Sequence, residues 1–242
     1  MRKNILLTGC SRGVGLETTK ILINKGYNVY GVSRKLTDEY QELLTAYPKQ
    51  VFFKSYDLVN VVDIQKGLFK NFLSNSIPLH GFINNAAIAY DDIITNLNID
   101  KLDMMYKVNV FSPLNITKYA IRNMIYNRIN GSVIHISSIS VHTGYKGLAM
   151  YASSKGALEG FSKNTAREWG EKGIRSNCLV AGFMDTDMSS TLPDDMKNRI
   201  FKRTSMKKPT ELSSVANTIE FLLSDGSNSI TGQNIHVDSG TI

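Results

Sequence analysis

The chain has 242 residues, of which 42% are hydrophobic and 20% are charged, and its formal net charge is +7. The length suits one domain, or at most two, with a large core, and no apolar run approaches the roughly 18 residues that a membrane helix requires. We therefore expect no membrane partner. The basic residues are scattered rather than interleaved with aromatic ones, which argues against nucleic acid and leaves an anionic cofactor, an acidic protein partner or a solvated basic surface.

The N-terminal residues and the cysteines bear on the compartment. Apolar residues follow Arg2 and Lys3, as in a signal peptide, but the run stops at Gly9 and is too short for one. Cys10 and Cys178 are far apart and lack metal-ligand spacing to histidine. We expect a reduced, cytoplasmic protein without a metal site.

The first predicted unit is a strand, a glycine-rich turn and a helix. Residues 3–7 form an apolar strand, residues 8–15 read T-G-C-S-R-G-V-G, and a helical pattern then runs to Lys25 and Gly26. In this context the glycines permit a tight turn, backbone N–H groups close to a pyrophosphate, and close packing of helix on strand, with the helix N-terminus facing the phosphates. The predicted cofactor contacts are Gly9, Ser11, Arg12, Gly13, Val14 and Gly15.

The end of the second predicted strand, residues 28–33, indicates which dinucleotide binds. An NAD-binding strand usually ends in an acidic residue that holds the ribose 2′-hydroxyl. Here Ser33 is followed by Arg34 and Lys35, and Arg12 supplies another cation from the glycine turn. Arginine suits a 2′-phosphate, so we predict NADP(H), with Ser33 and Arg34 among its contacts. The alternative is an exposed basic turn that binds nothing.

Two further strands are predicted to end beside the cofactor. The third spans residues 50–56 and precedes a helix that runs to about residue 72, and the fourth spans residues 80–84. Asp57 either accepts a hydrogen bond from an adenine amino group or caps the following helix. Small residues after the fourth strand indicate backbone close to a ligand. The predicted contacts are Asp57, Leu58, Asn85, Ala86 and Ala87.

The rest of the chain continues the alternation of strands and helices. A long helical region at residues 99–128 contains Asn109, and a buried strand at residues 133–136 ends at Ser137 and Ser138. Seven strands alternating with helices predict an α/β protein, in which residues 1–242 form a single-domain Rossmann fold whose seven-stranded parallel sheet has helices on both faces. The later elements are a helix from about residue 150 to 172, a strand at 174–180, a helix from about 210 to 225 and a strand at 234–238.

Ser138, Tyr151 and Lys155 form the candidate catalytic group. The helical pattern places Lys155 one turn after Tyr151 on the same face. A phenol has a pKa of about 10 and donates a proton poorly at neutral pH, but an adjacent ammonium favours the phenolate and lowers that pKa. Ser138 can stabilise a carbonyl oxygen that the phenol protonates. This group would reduce a ketone once a hydride arrives; the alternative is that Tyr151 and Lys155 lie idle on the surface.

Many of the candidate residues fall at the carboxyl ends of predicted strands, where parallel sheets bind ligands: residues 8–15, 33–35, 57, 84–87, 138 and 181–183. Gly182 and Phe183, after the sixth strand, are predicted cofactor contacts for the same reason. Residues 183–209 are the one long insertion, which we interpret as an amphipathic lid over an apolar substrate; the alternative is a helix packed on the body of the domain. The apolar residues of this insertion include Met184, Met188, Leu192 and Met196.

Taken together, these motifs resemble the short-chain dehydrogenase/reductase family over nearly the whole chain. Residues 8–15 match the family's cofactor loop, and Asn84-Asn85-Ala86 matches its strand-four motif. The C-terminal I-T-G-Q-N-I-H-V-D-S-G is most similar to the 3-oxoacyl-[acyl-carrier-protein] reductases of the family. The residues that match the family's catalytic tetrad are Asn109, Ser138, Tyr151 and Lys155.

The resemblance implies a role for each residue of the tetrad. Tyr151 would donate the proton, and Lys155 would lower the pKa of Tyr151 and hydrogen-bond the nicotinamide ribose, so both also count as cofactor contacts. Ser138 would position the substrate carbonyl, and Asn109 would anchor a water in a proton relay to Lys155. The implied reaction is hydride transfer from NADPH to a 3-oxoacyl thioester in fatty acid biosynthesis, catalysed by a homotetramer.

The sequence motifs indicate the family more specifically than they indicate the substrate. A reductase that serves an acidic acyl carrier protein should carry cations at the pocket mouth, for which Arg128 and Lys172 are candidates, unless they only complement helix dipoles. Ala87 and Ala181 stand where the family usually has Gly and Pro. A sugar, a steroid or a small ketone is therefore a second possible substrate, and a catalytically idle NADP-binding scaffold is the alternative from another class.

Overall fold

The computed structural model describes residues 2–186 and 193–241. Its strands are β1 Asn4–Thr8, β2 Asn28–Ser33, β3 Val51–Ser55, β4 Leu79–Asn84, β5 Ser132–Ser138, β6 Arg175–Ala181 and β7 Asn234–Val237. They form one sheet in the order β3-β2-β1-β4-β5-β6-β7, and every neighbouring pair is parallel. This order is that of the doubly wound dinucleotide-binding fold, so the predicted fold class is confirmed.

The helices connect the strands. The α-helices are α1 Gly13–Asn24, α2 Asp38–Ala46, α3 Ile99–Tyr106, α4 Ser112–Tyr126, α5 Ser140–Thr143, α6 Ala149–Trp169, α7 Asp194–Arg203 and α8 Leu212–Leu223. Short 3₁₀ segments span Val61–Asp63, Ile94–Asn96, Gly170–Lys172 and Asp225–Ser227, and π-helical segments span Gln65–Lys70 and Lys107–Phe111.

Both faces of the sheet are covered, which explains why the strands are apolar without alternation. Successive side chains of a strand point to opposite faces. Leu7 of β1 belongs to the core cluster that includes Leu22 of α1 and Ile219 of α8, whereas the adjacent Leu6 belongs to the cluster that includes Ile116 of α4. All five side chains are fully buried.

Two segments differ from the sequence expectation. Helix α2 is not predicted, although Thr37 caps it by accepting from the N–H of Tyr40 and its first turn carries Asp38 and Glu39, both favourable signals. The region after β3, predicted as one helix, is instead a 3₁₀ turn followed by a π-helical segment. Gly67 in this segment is tightly packed, because a Cβ there would overlap with the ring of Tyr56.

The parallel register brings the carboxyl ends of the strands to one edge. Thr8, the last residue of β1, pairs with Val32 on one side and with Asn84, the last residue of β4, on the other. Ser138, at the end of β5, pairs with Ala181 at the end of β6. The chain reverses its winding direction between β1 and β4, which is where folds of this type bind a dinucleotide.

The insertion after β6 is described in part. Met184 packs against the core cluster on the α1 and α8 face. Helix α7 carries no buried residue, and Met196 within it is 47% exposed. Met188 and Leu192 lie outside the described residues, so the lid stays a prediction. Within the described part of the chain, no helix is long and apolar enough to span a membrane.

Candidate active site

The glycine turn after β1 is braced by the residues that follow β4. Gly9 has a φ of +69°, and a Cβ there would lie 2.8 Å from Asn85 Nδ2. Asn85 Nδ2 donates to the carbonyl oxygens of Thr8 (3.1 Å) and Gly9 (3.0 Å), and Thr8 Oγ1 accepts from the backbone N–H groups of Asn85 and Ala86. The side-chain donors of Asn85, predicted to contact the cofactor, are therefore used to hold the turn.

Helix α1 begins with two glycines that have different surroundings. A Cβ on Gly15 would overlap with the carbonyl oxygen of Gly9, so the helix lies directly against the turn. Gly13 has a φ of +52°, and among the described residues the nearest atom to a Cβ there would be Thr186 Cγ2 at 3.9 Å. The open N-terminus of this 12-residue helix can receive an anion. Arg12, exposed at the N-cap position, lies next to it, and Val14 is buried below.

The residues predicted to select the dinucleotide lie at the same edge. Ser33 Oγ accepts from the backbone N–H of Ser11 at 3.3 Å and so joins the end of β2 to the glycine turn. Arg34, the next residue, is exposed. Asp57 is exposed and its Oδ1 accepts from the N–H of Val59 at 3.0 Å, which is the local capping alternative to adenine recognition. Leu58 is buried, and its carbonyl oxygen accepts from Ser112 Oγ.

The end of β6 lies across the carboxyl edge of the sheet from the glycine turn. The region between the two is called the cleft below. Gly182 donates from its backbone N–H to the carbonyl oxygen of Val237 at 2.9 Å, and a Cβ on it would lie 2.6 Å from Asp238 Cα. Phe183 is half-buried, and its ring centroid lies 5.8 Å from that of Phe201 in α7. Close backbone packing therefore requires glycine at 182, and the aromatic pair joins the start of the insertion to helix α7.

Lys155 is a buried ammonium group beneath the ring of Tyr151. It is 2% exposed, its Nζ donates to the carbonyl oxygen of Ile136 at 2.8 Å, and Nζ lies 5.7 Å from the centroid of the Tyr151 ring. Burial lowers the pKa of Lys155 to about 8. The amine is therefore still mostly protonated at neutral pH, and its charge is held next to the phenol.

The pKa of Tyr151 is shifted in the direction opposite to the sequence expectation. Burial raises it above its ordinary value, and the negative charge of Asp91 adds to this effect. The predicted lowering of the Tyr151 pKa is therefore wrong for this arrangement. Tyr151 consequently stays a neutral phenol, the form that a proton donor must have at the start of a reduction.

Ser138 lies half-buried at the end of β5, with its hydroxyl oxygen held by the start of α5. Ser138 Oγ accepts from the backbone N–H of Ser140 at 3.2 Å and from Ser140 Oγ at 3.0 Å. Ser140 itself is buried. The S-I-S pattern at 138–140 was the available signal for this second serine, and sequence reasoning did not use it.

Asn109 lies in the π-helical segment between α3 and α4 and is fully buried. Its Oδ1 accepts from the N–H of Ile88 at 2.9 Å, and its Nδ2 donates to the carbonyl oxygen of Ile88 at 2.9 Å and to Ser154 Oγ at 3.1 Å. The side chain thus ties the loop after β4 to α6. Widened turns of this kind often occur at functional sites, and the water-anchoring role of Asn109 stays a prediction.

Comparison with known proteins identifies the family. A family model described as enoyl-(acyl carrier protein) reductase matches residues 9–241. The 3-oxoacyl-[acyl-carrier-protein] reductase FabG of Chlamydia trachomatis serovar D is 34% identical over 243 aligned residues, covering 99% of this chain and 97% of that protein. The chain belongs to the short-chain dehydrogenase/reductase family. As a member it is an oxidoreductase that acts on a CH–OH or ketone group.

Two more similarities support the family assignment. The 3-oxoacyl-[acyl-carrier-protein] reductase FabG of Staphylococcus epidermidis strain RP62A is 30% identical, covering 99% of each protein. A solved structure described as ElxO with NADP bound has a TM-score of 0.86 and 26% sequence identity, and the match covers 100% of this chain and 99% of that one.

The cations predicted for the pocket mouth of this short-chain dehydrogenase/reductase, Arg128 and Lys172, lie after its two long helices. Arg128 follows α4 and precedes β5, and Lys172 follows α6 and precedes β6. Helices in this fold run antiparallel to the strands, so their C-terminal ends lie at the amino edge of the sheet, opposite the glycine turn. Within one chain Arg128 and Lys172 therefore lie at the edge opposite the glycine turn, and their presence at the mouth of a pocket stays a prediction.

Sequence reasoning also missed two buried polar residues behind the family's tetrad. His135 of β5 is fully buried, its Nδ1 lies 3.3 Å from Asn84 Nδ2, and burial together with the charge of Lys155 lowers its pKa to about 3. Glu159 of α6 is also buried, and its Oε1 accepts from Ser137 Oγ at 2.5 Å. Glu159 follows Lys155 by one helical turn, which was a signal for a shared buried face.

Proposed function

We propose that this protein is an NADPH-dependent reductase that converts the ketone of a 3-oxoacyl thioester to an alcohol, with Tyr151 as the proton donor. The relatives named above support the substrate class, since both are 3-oxoacyl-[acyl-carrier-protein] reductases. We further propose, as the family resemblance implies, that the acyl group is carried on an acyl carrier protein and that the active form is a cytoplasmic homotetramer.

The observation that carries the proposal is the buried ammonium of Lys155 beside the phenol of Tyr151. A buried charge is costly unless it is paired or functional. Within the part of the chain that the structure describes, Lys155 donates one hydrogen bond, to the neutral carbonyl group of Ile136, and it lies at the strand edge that also carries the glycine turn. A cation held there stabilises a phenolate that forms in front of it.

The residues of the cleft fit NADP(H). Among the described residues, the nearest atom to a Cβ on Gly13 would be 3.9 Å away, which leaves room for a diphosphate to approach the backbone N–H groups at the N-terminus of α1. Arg12 and Arg34 are exposed cations close to Ser33, and residues 33–35 include no acid that would select an unphosphorylated ribose. NADPH, when bound, supplies the hydride.

The side chains of the tetrad then perform the proton chemistry. As negative charge develops on the carbonyl oxygen, Ser138 donates a hydrogen bond to it and Tyr151 transfers its proton to it. The Lys155 ammonium stabilises the resulting Tyr151 phenolate. Asn109 holds the loop after β4 against α6, so that Tyr151 keeps its position in the cleft.

A substrate panel tests the reaction. Purified protein is mixed with NADPH and acetoacetyl-coenzyme A, and the loss of NADPH absorbance is followed. Turnover supports the proposal. Turnover only with crotonyl-coenzyme A would indicate an enoyl reductase, the activity in the description of the family model. Turnover only with a steroid, a sugar or a small ketone would indicate the second substrate class, and NADPH binding without any turnover would indicate the scaffold.

Tyr151→Phe tests the proton donor. We expect a loss of kcat of at least about 10²-fold, since general acid catalysis contributes 10²–10⁴-fold, while the affinity for NADPH changes little. Tyr106→Phe is the matched control, because it removes a phenol hydroxyl that donates to Ser153 Oγ of the same helix α6. Near-normal turnover by Tyr151→Phe would show that another group donates the proton.

A further inference from the structure

We propose that Ser140 is a positioning residue that fixes Ser138 as a hydrogen-bond donor toward the substrate. This inference rests on the proposed function, in which Ser138 acts on a carbonyl oxygen. It concerns a residue outside the predicted catalytic and cofactor-binding sets, the first residue of α5 and two residues after the end of β5.

The hydrogen bonds around Ser138 Oγ carry the argument. A serine hydroxyl has one hydrogen to donate and two lone pairs that accept. Ser140 supplies two donors to the same oxygen, its backbone N–H at 3.2 Å and its own hydroxyl at 3.0 Å. The accepting capacity of Ser138 Oγ is therefore filled by one residue, and its O–H remains available to donate.

The surroundings determine where that remaining O–H is used. Ser140 is 3% exposed, which shields its two bonds from water. Ser138 is half-buried and lies at the cleft edge of the sheet, opposite Ala181 in the strand register. The O–H of Ser138 is consequently directed to the cleft. A carbonyl oxygen there can accept its hydrogen bond, whereas another donor finds no lone pair on Ser138 Oγ.

This arrangement favours the transition state over the bound substrate. The carbonyl oxygen gains negative charge as the hydride arrives, so a donor aimed at it is worth more in the transition state than in the ground state. The chain from the Ser140 hydroxyl through the Ser138 hydroxyl to that oxygen also polarises each bond in turn. Without the Ser140 hydroxyl, Ser138 can rotate and donate elsewhere.

Ser140→Ala is the test. We expect kcat to fall by between about 3- and 10-fold, the worth of one net hydrogen bond, with the KM for the ketone and the affinity for NADPH both within about 2-fold of the wild-type values. Ser140→Thr keeps a hydroxyl and should recover most of the lost kcat. Thr143→Ala is the matched control, since it removes a hydroxyl from the same short helix that donates to the carbonyl oxygen of Ile139 and not to Ser138.

A double-mutant cycle separates positioning from a structural role. In a Ser138→Ala background, Ser140→Ala should lower kcat no further, because the hydroxyl that it orients is gone. An equal loss of kcat in both backgrounds, or an unchanged kcat in Ser140→Ala alone, would overturn the inference.

The cycle is measured on whichever ketone the wild-type protein reduces. If that ketone is not a thioester, the proposed substrate fails while the Ser140 inference is still decided by the cycle. If the wild-type protein reduces no ketone, the inference fails together with the proposed function.

Discussion

The two sides of the cleft hold their functional groups in position by different means. On the cofactor side, around β1 and β2, position is set by backbone: positive φ angles at Gly9 and Gly13 and close contacts at Gly15. On the catalytic side, around β5 and α6, position is set by buried polar side chains. Within the described residues, the buried aspartate, glutamate, lysine and arginine side chains are Lys155 and Glu159 of α6 and Asp238 after β7, and none belongs to the cofactor side.

This difference has opposite consequences for stability. A glycine turn requires particular backbone torsion angles but removes no polar side chain from water, so its function lowers the free energy of unfolding little. A buried ammonium or imidazole loses its hydration and recovers only part of that free energy through one hydrogen bond. We therefore expect substitutions on the cofactor side to damage packing and binding together, whereas substitutions on the catalytic side can remove activity and yet stabilise the protein.

Gly15→Ala should have the largest effect, because its Cβ overlaps with backbone that has no room to move. We expect the affinity for NADPH to fall roughly 100-fold, which corresponds to an overpacking cost of about 3 kcal/mol, or the protein to lose its folded circular dichroism spectrum. Gly26→Ala, at the other end of α1, meets no atom within 4 Å and should bind NADPH normally despite its left-handed backbone. Binding by Gly15→Ala within about 3-fold of the wild-type affinity would remove the packing argument.

The same contrast decides how much of the molecule could be predicted from sequence. The glycine turn was readable because only glycine satisfies those backbone positions, and apolar runs between such turns gave all seven strands. Helix α2 was missed because its mean hydropathy is low and one residue, Tyr40, is its buried contact.

On the catalytic side, the sequence predicts the catalytic residues but not the groups that contact them. Tyr151 and Lys155 have a recognisable spacing, but the carbonyl oxygen of Ile136 as the Lys155 partner arises from strand β5 meeting helix α6, which no local pattern encodes. The direction of the Tyr151 pKa shift was missed for the same reason, since it depends on burial and on Asp91, sixty residues earlier in the chain.

Lys155→Met tests the claim that the catalytic side is costly. The folded protein binds the Lys155 proton with a pKa of about 8, below its ordinary value of 10.5, so the cost of the charge is fully present below pH 8 and disappears as the pH rises toward 10.5. At pH 7 we expect Lys155→Met to raise the free energy of unfolding by about 2 to 3 kcal/mol, at ~1.4 kcal/mol per pKa unit less one hydrogen bond, while turnover is lost.

Urea denaturation at pH 7 and at pH 10 measures this gain, which should shrink at the higher pH. Lys163→Met on the exposed face of the same helix is the control and should change stability little. A destabilised Lys155→Met protein at pH 7 would show that the buried ammonium supports the fold.

His135→Gln gives the smallest of the three effects and tests the layer behind the tetrad. The pKa of His135 is about 3 in the folded protein and near 6.5 in the unfolded chain. As the pH falls below 6.5, the unfolded chain therefore binds a proton at His135 and the folded protein does not. The imidazole therefore costs about 2 kcal/mol of stability between pH 6.5 and pH 5, at ~1.4 kcal/mol per unit. We expect the free energy of unfolding of His135→Gln to fall less over this pH interval than that of the wild type, whatever its value at pH 7. His236 is exposed on β7, and His236→Gln, the control, should keep the pH dependence of the wild type. Parallel pH dependences for His135→Gln and the wild type would mean that water reaches His135, and the contrast between the two sides of the cleft would then rest on Lys155 alone.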